Sequence, residues 1–381
     1  MTKLEQLIEE LCPNGVEYTT IGDCCNISAG GDVPKDKFSK EKTDFYTIPI
    51  ISNGIGENAL YGYTDSPKIT ENAVTVAARG TIGYAEYRDF PYYPIIRLLS
   101  VIPKNPEKLS AKFLFYSLQG REYPVPKSGI PQLTAPNIKK EIISLPPLPV
   151  QEEIVRNLDT FTELTAELTA ELTARKKQYE YYTEQLMNFG EGVKMIPLGE
   201  IGSVKMCKRI LKSQTNTTGG IPFYKIGTFG KEPDAFISKE LFEEYKEKYS
   251  YPRKGDILIS CSGTIGRTVV FDGEPAYFQD SNIVWLEHDG TIVTNKYLRY
   301  CYKKQPWQIS TGGTIARLYN DNILKAKIPV PSIEEQERIV EILERFDILC
   351  NDISEGLPAE IEGRRKQYEY YRDKLLTFKV K

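Results

Sequence analysis

The feature that most limits what this chain can fold into is a long internal repeat. Arg175-Lys176-Lys177-Gln178-Tyr179-Glu180-Tyr181-Tyr182 returns as Arg364-Arg365-Lys366-Gln367-Tyr368-Glu369-Tyr370-Tyr371, 189 residues later. Pro146-Pro147-Leu148-Pro149-Val150-Gln151-Glu152-Glu153-Ile154-Val155 has its partner in Pro331-Ser332-Ile333-Glu334-Glu335-Gln336-Glu337-Arg338-Ile339-Val340, 185 residues on. Lys112-Phe113-Leu114 matches Lys296-Tyr297-Leu298, and Gly80-Thr81-Ile82-Gly83 matches Gly263-Thr264-Ile265-Gly266. Gly15-Val16 through Ile21-Gly22 matches Gly192-Val193 through Leu198-Gly199. The matches keep their order, and their offsets drift only from 177 to 189, so one unit of about 185 residues is used twice.

Each unit reads as an α+β globule of short Val/Ile/Tyr runs punctuated by Gly, Pro and Asn, followed by one long helix. The boundaries drawn from this pattern are a globule over 1–150, a helix over 151–190, a second globule over 191–332 and a second helix over 333–381. In the first helix Ile154, Leu158, Phe161, Leu164, Leu168, Leu172, Tyr179, Tyr182, Leu186 and Phe189 recur at steps of three, four and seven, a continuous apolar stripe. The second repeats it through Ile339, Leu343, Phe346, Leu349, Ile353, Tyr368, Tyr371, Leu375 and Phe378, but Gly356, Pro358 and Gly363 predict a break near Pro358. The expected architecture is two pseudo-repeated domains of small twisted sheets plus helices, separated by two long antiparallel helices that form a coiled coil. Homodimerisation through the same stripes is the competing use of such helices.

With 40% hydrophobic and 27% charged residues the composition is that of a soluble globular protein. No apolar run approaches the ~18 residues of a spanning helix, and the acidic, amphipathic start Met1–Leu11 is unlike a signal peptide, which points to the cytoplasm and away from membranes. Seven cysteines without a C-x-x-C spacing read as buried fillers rather than a disulfide or zinc framework. His288 is the lone histidine, placed in a turn after a strand, so histidine-based metal sites and nucleophile triads have little to draw on. There is no G-x-x-x-x-G-K-[ST] loop for ATP and no glycine-rich cofactor turn after a strand, and the glycines at 80, 83, 263 and 266 read as tight turns. The formal net charge of −3 is the one global property that runs against nucleic-acid binding.

The opening Leu11-Cys12-Pro13-Asn14-Gly15-Val16-Glu17-Tyr18, the twin Pro-rich segments at 146–155 and 331–340, and the twin Lys-Gln-Tyr-Glu-Tyr-Tyr helices together resemble the specificity subunits of Type I restriction-modification systems, over essentially the whole chain. The resemblance implies that each globule is a target recognition domain reading one half of a split, asymmetric double-stranded DNA sequence, and that the chain has no catalysis of its own. It further implies that the helices set the gap and dock two methylation subunits, with Tyr179, Tyr182, Leu186, Tyr368, Tyr371 and Leu375 as candidate contacts. The same resemblance implies that restriction and translocation subunits then join, that S-adenosylmethionine, ATP and magnesium come with those partners, and that no cofactor or metal binds here directly. Glu163-Leu164-Thr165-Ala166, repeated at 167–170 and 171–174, resembles the insert that tunes the gap in related subunits.

Phosphate contacts need Lys, Arg or backbone N–H, and base contacts need fork-shaped or amide side chains. In the first globule the DNA-binding candidates are Lys35 and Lys37 (with Lys40 and Lys42), Asn53, Tyr63 beside Tyr61, Arg79, Thr81, Lys127 and Gln132. In the second they are Lys205, Lys208, Arg209 and Lys212 in the densest basic stretch, then Lys225, Arg267 and Arg317. Gln132 and Arg317 occupy matched positions, and their chemistries predict different bases, adenine for Gln and guanine for Arg. A stand-alone DNA-binding protein and a coiled-coil scaffold for proteins are the alternatives that the residues leave open.

Overall fold

The computed structural model describes residues 2–124, 131–309 and 316–380. The chain divides into two units, Met1–Ala170 with Glu360–Lys381, and Glu171–Ala359.

In chain order unit 1 holds α1 (Lys3–Leu11), β1 (Glu17–Thr20), α2 (Ile21–Cys24), β2 (Cys25–Ala29), β3 (Ile48–Ile51), β4 (Leu60–Thr64), β5 (Ala73–Val76), β6 (Ala85–Arg88), β7 (Tyr93–Pro94), β8 (Leu99–Pro103), α3 (Ala111–Leu118), α4 (Ala135–Lys139), β9 (Ile142–Leu145) and the first part of α5 (Leu148–Leu186). Its described strands make an antiparallel sheet in the order β2-β8-β5-β6, a three-stranded sheet β4-β3-β7 whose β3–β7 pair is parallel, and the ribbon β1-β9. β5 is buried on both faces, which is why Ala73-Val74-Thr75-Val76 shows no polar alternation. Ser110 caps α3, whose Phe113, Leu114 and Leu118 enter the core beside Val74 and Val101. Each such side chain contributes about 1.5–3 kcal/mol on burial.

Unit 2 opens with the second part of α5 and continues with β10 (Met195–Pro197), α6 (Leu198–Ile201), β11 (Ser203–Lys205), β12 (Ile221–Tyr224), β13 (Phe236–Ile237), α7 (Lys239–Lys248), β14 (Ile257–Ser260), β15 (Thr268–Val270), β16 (Tyr277–Phe278), β17 (Ile283–Glu287), α8 (Asn295–Lys303), α9 (Asn320–Lys325), β18 (Lys327–Pro329) and α10 (Ile333–Asn351). The topology of unit 1 recurs strand for strand: β11-β17-β14-β15, β13-β12-β16 with β12–β16 parallel, and β10-β18. The helix α7 is an addition, capped by Ser238 and anchored through the buried Phe242.

The repeated glutamine explains why the two Pro-rich segments match. Gln151 is fully buried; its Nε2 donates to the carbonyls of Lys108 and Pro146, and its Oε1 accepts from Ser110 N–H. Gln336, equally buried, donates to Ile292 and Pro331 and accepts from Thr294 N–H. In each unit one side chain thus ties the start of the long helix to the cap of α3 or α8. A repeated carboxylate does the same further along: Asp159 accepts from Tyr116 Oη (2.5 Å) and Lys112 Nζ (2.7 Å). Asp347 accepts from Tyr179 Oη (2.8 Å), Tyr300 Oη (3.3 Å) and Lys303 Nζ (3.1 Å). Burial would raise the Asp347 carboxyl, but the Tyr179 hydroxyl and the Lys303 and Arg299 cations hold it below its usual value.

In unit 2, Tyr179 and Tyr182 of α5 stack on Phe346 of α10, while Arg175 and Lys176 lie toward Cys350, so the two helices run antiparallel there. In unit 1, Phe161 of α5 stacks on Tyr371 of α11 (Leu357–Leu375). The second repeat helix is therefore two helices, α10 and α11, interrupted over 352–356. Pro358 sits in the first turn of α11, where its missing N–H costs no hydrogen bond. All seven cysteines are free, six of them buried.

Candidate nucleic-acid interface

Four of the sequence-derived candidates converge in unit 1. Asn53 follows β3; its Oδ1 accepts from Ala78 N–H and its Nδ2 donates to Ile96 C=O, both at 2.7 Å. Thr81 Oγ1 donates to the Asn53 carbonyl at 2.7 Å. Arg79, just beyond β5, donates through Nε (3.2 Å) and Nη2 (2.9 Å) to Gln132 Oε1. The intervening turn needs glycine: Gly80 and Gly83 have φ of 70° and 87°, in the left-handed region that residues with a Cβ disfavour.

That geometry revises the expectation for Gln132. A bidentate contact with adenine needs the amide oxygen as acceptor. Here Arg79 occupies that oxygen, and the pair presents only donors, Gln132 Nε2 and Arg79 Nη1.

In unit 2 the guanidinium changes sides. Ser262 stands before the matched Gly263 where unit 1 has Arg79, and Arg317 stands where unit 1 has Gln132. Ser262 Oγ donates to Asn282 Oδ1 (2.9 Å), and Arg317 Nη2 donates to Ser281 C=O (2.5 Å). Met206, Ser281, Arg317, Tyr319, Asn320 and Lys325 line an open polar depression beside it.

The remaining candidates are more dispersed. Lys37 bonds Asp65 (2.8 Å), which holds its ammonium above the usual value, and Lys225 bonds Asp234 (2.8 Å). Lys205 pairs with Glu287 (3.6 Å) and Arg209 with Asp280 (3.0 Å), so half of the dense basic stretch is already neutralised. Lys208 lies over the Tyr249 ring, and Arg267 donates to Phe229 C=O. Lys35 and Lys212 are exposed and have no acidic partner among the described residues. Tyr63 pairs through its backbone with Ser39 beside Phe38, and Lys40 sits over the Tyr61 ring. Lys127 lies outside the described residues.

The six tyrosine and leucine candidates for subunit docking are engaged within their own units. Tyr179 and Tyr182 stack on Phe346, and Leu186 packs against the core of unit 2. Tyr368 bonds Gln119, Tyr371 stacks on Phe161, and Leu375 packs against the core of unit 1. The exposed rings of the repeated motif are Tyr181, Tyr370 and, on the side away from Phe346, Tyr182 itself. His288 lies in the turn after β17, bonded to Asn295, and no cluster of metal-ligating side chains occurs among the described residues.

The profile of the Type I restriction modification DNA specificity domain matches this chain twice, over residues 13–175 and 190–363. The chain belongs to that family. The specificity subunit of the type I restriction enzyme EcoR124I/EcoR124II from Escherichia coli is 32% identical over 368 residues, 89% of each chain. The Haemophilus influenzae protein S.HindORF215P, assigned to the same class of subunit, is 57% identical over 282 residues, 71% of this chain and 73% of that one. The crystal structure of a type I S subunit from M. genitalium superposes with a TM-score of 0.59 at 18% identity, covering 96% of this chain and 97% of that one. A chain from a study of assembly and conformational transition in the type I system gives 0.62 at 18%, over 96% and 98%. These structural likenesses speak to the fold. As a specificity subunit, the protein is the DNA-recognition component of a restriction-modification system and not its catalytic one. No helix among the described residues is long and apolar enough to cross a membrane.

Proposed function

We propose that each unit reads one half of an asymmetric, bipartite double-stranded DNA target, with the domains 1–150 and 191–332 as readers and the helices over 151–190 and 333–381 as spacer. The observation that carries this reading is the swap just described. One scaffold is used twice, and the guanidinium stands at different matched positions of it, Arg79 beside Gln132 in one unit and Arg317 with Ser262 in the other. Two frames alike in backbone and unlike in donors suit two different half-sites.

Two methylation subunits dock on the helices, and restriction and translocation subunits join them in the cytoplasm. S-adenosylmethionine, ATP and magnesium bind to those partners, while this chain contributes recognition alone. The Glu-Leu-Thr-Ala repeats are helical throughout and largely exposed, so their number can change without disturbing a core. Deep sequencing of modified bases in the host, with and without the gene, tests the reading. A split adenine-methylated motif that vanishes on deletion supports it. An unchanged methylome in a host whose methylation subunits are active favours a stand-alone DNA binder.

A further inference from the structure

The turn from β7 to β8 in unit 1 carries two consecutive non-glycine residues in the left-handed region, Ile96 at φ 53° and Arg97 at φ 61°. A β-branched residue there is an outlier, held only when its surroundings over-determine the backbone. They do so here. Ile96 N–H donates to Gly31 C=O (2.8 Å), Arg97 N–H to Gly30 C=O (3.0 Å), Leu98 N–H to Ile95 C=O (3.0 Å), and Gly30 N–H to Leu98 C=O (2.8 Å). Gly30 permits this clasp, because a Cβ there would lie 2.7 Å from the backbone of Pro94 and Ile95. Asn53 closes it from the other side, through Nδ2 to Ile96 C=O.

The turn fixes an exposed arginine. Arg88 bonds Glu86, Arg121 bonds Glu141 and Arg79 bonds Gln132, whereas Arg97 makes no side-chain hydrogen bond, ion pair or ring contact among the described residues. The constrained backbone fixes where the Arg97 side chain leaves the surface, and its guanidinium, exposed and without a partner among the described residues, is left available to an external acceptor. Its neighbour Ile96 is 45% exposed, an apolar surface that a row of phosphates would leave in water and that a groove floor, with thymine methyl groups, covers. Unit 2 keeps the left-handed residue in the matched turn, Ser281 at φ 60°, but there Arg317 holds the carbonyl and Asp280 and Asn282 flank it.

From this geometry we infer that Arg97 is a base-reading residue of unit 1, donating to the O6 and N7 acceptors of a guanine in the major groove. The inference rests on the reading of unit 1 as a DNA-recognition domain.

The test uses the chain assembled with its methylation subunits. Binding is measured to the target found by methylation mapping and to every single-base-pair variant of it, for the wild-type protein, Arg97→Ala and Arg97→Lys. Arg97→Ala should lose discrimination, roughly 10- to 100-fold, at one G·C pair of one half-site and leave the other half-site unchanged. Replacing that guanine by 7-deazaguanine should weaken the wild-type complex and leave the Ala variant unaffected, and Arg97→Lys should recover part of the discrimination. A uniform loss across all sequences, with the salt dependence reduced by about one phosphate contact, would overturn base reading in favour of backbone contact. Unchanged discrimination in Arg97→Ala would overturn any role for Arg97 and leave the two-domain reading standing. A wild-type complex that discriminates in one half-site only would instead overturn the reading on which this inference depends.

Discussion

Replacing Gln336 by leucine tests whether the repeated glutamine holds each globule to its helix. The substitution keeps most of the side-chain volume and removes every hydrogen bond. It strands the Thr294 N–H and leaves the carbonyls of Ile292 and Pro331 without their Nε2 donor, all around a side chain with no solvent exposure. A buried group left without a partner costs about 1–3 kcal/mol, with carbonyls at the low end. The three together predict a loss of about 3–5 kcal/mol. Thr294 is also the cap of α8, which sends Tyr297, Leu298, Tyr300, Cys301 and Tyr302 into the core, so the damage propagates into packing. The protein's two tryptophans, Trp285 and Trp307, both lie in unit 2, and their fluorescence in a urea titration follows that unit's unfolding. With a slope of about 2–3 kcal/mol per molar urea, the midpoint should fall by about 1–2.5 M. A shift below about 0.3 M would refute the reasoning.

Two further outcomes follow from the same geometry. The Asp347 carboxyl is held below its unfolded value, so its stabilising contribution is complete above the unfolded pKa near 4 and disappears as pH falls through the lower folded value. Acid titration of tryptophan fluorescence should show this loss, and Asp347→Asn should flatten the profile in that window while lowering stability at neutral pH. Deleting 167–170, one Glu-Leu-Thr-Ala copy, shortens α5 by about 6 Å and rotates it by roughly 40° beyond one turn, against about 3.4 Å and 35° per base pair. The gap in the methylated motif should then shrink by about one base pair, and an unchanged gap would remove the helix from the ruler role.

Much of the fold was legible because duplication makes a sequence its own alignment. The match between Gln151 and Gln336 located the two helix starts, and both prove to be buried hubs. Pro358 announced the break in the second long helix, since a proline is tolerated in a first turn and not in an interior. The helix α7 has no counterpart among the described residues of unit 1, so the repeat gave no guide to it. Periodicity told which helix face is apolar but not what covers it: Tyr179, Tyr368 and Tyr371 are half-buried within their own units, whereas Tyr182 stacks on Phe346 and stays exposed.

The candidate interface was legible only where glycine marked a turn. The Gly80–Gly83 turn led to Arg79 and Thr81, and the neighbouring amides Asn53 and Gln132 fell into place around it. The turn at Ile96–Arg97 carries neither glycine nor asparagine, the residues that normally signal left-handed backbone, so nothing in the local sequence drew attention to it. The ion pairing of the lysine candidates was not legible, because it depends on distant partners, such as Asp65 for Lys37 and Glu287 for Lys205.

The most direct test of sequence recognition by two unlike domains is the host methylome before and after removal of this gene, and again after exchange of residues 191–332 for the equivalent domain of a related subunit. The account predicts a split adenine-methylated motif that is lost on removal, and that on exchange keeps one half and changes the other. A motif that survives removal, or that changes in both halves on exchange, would contradict it.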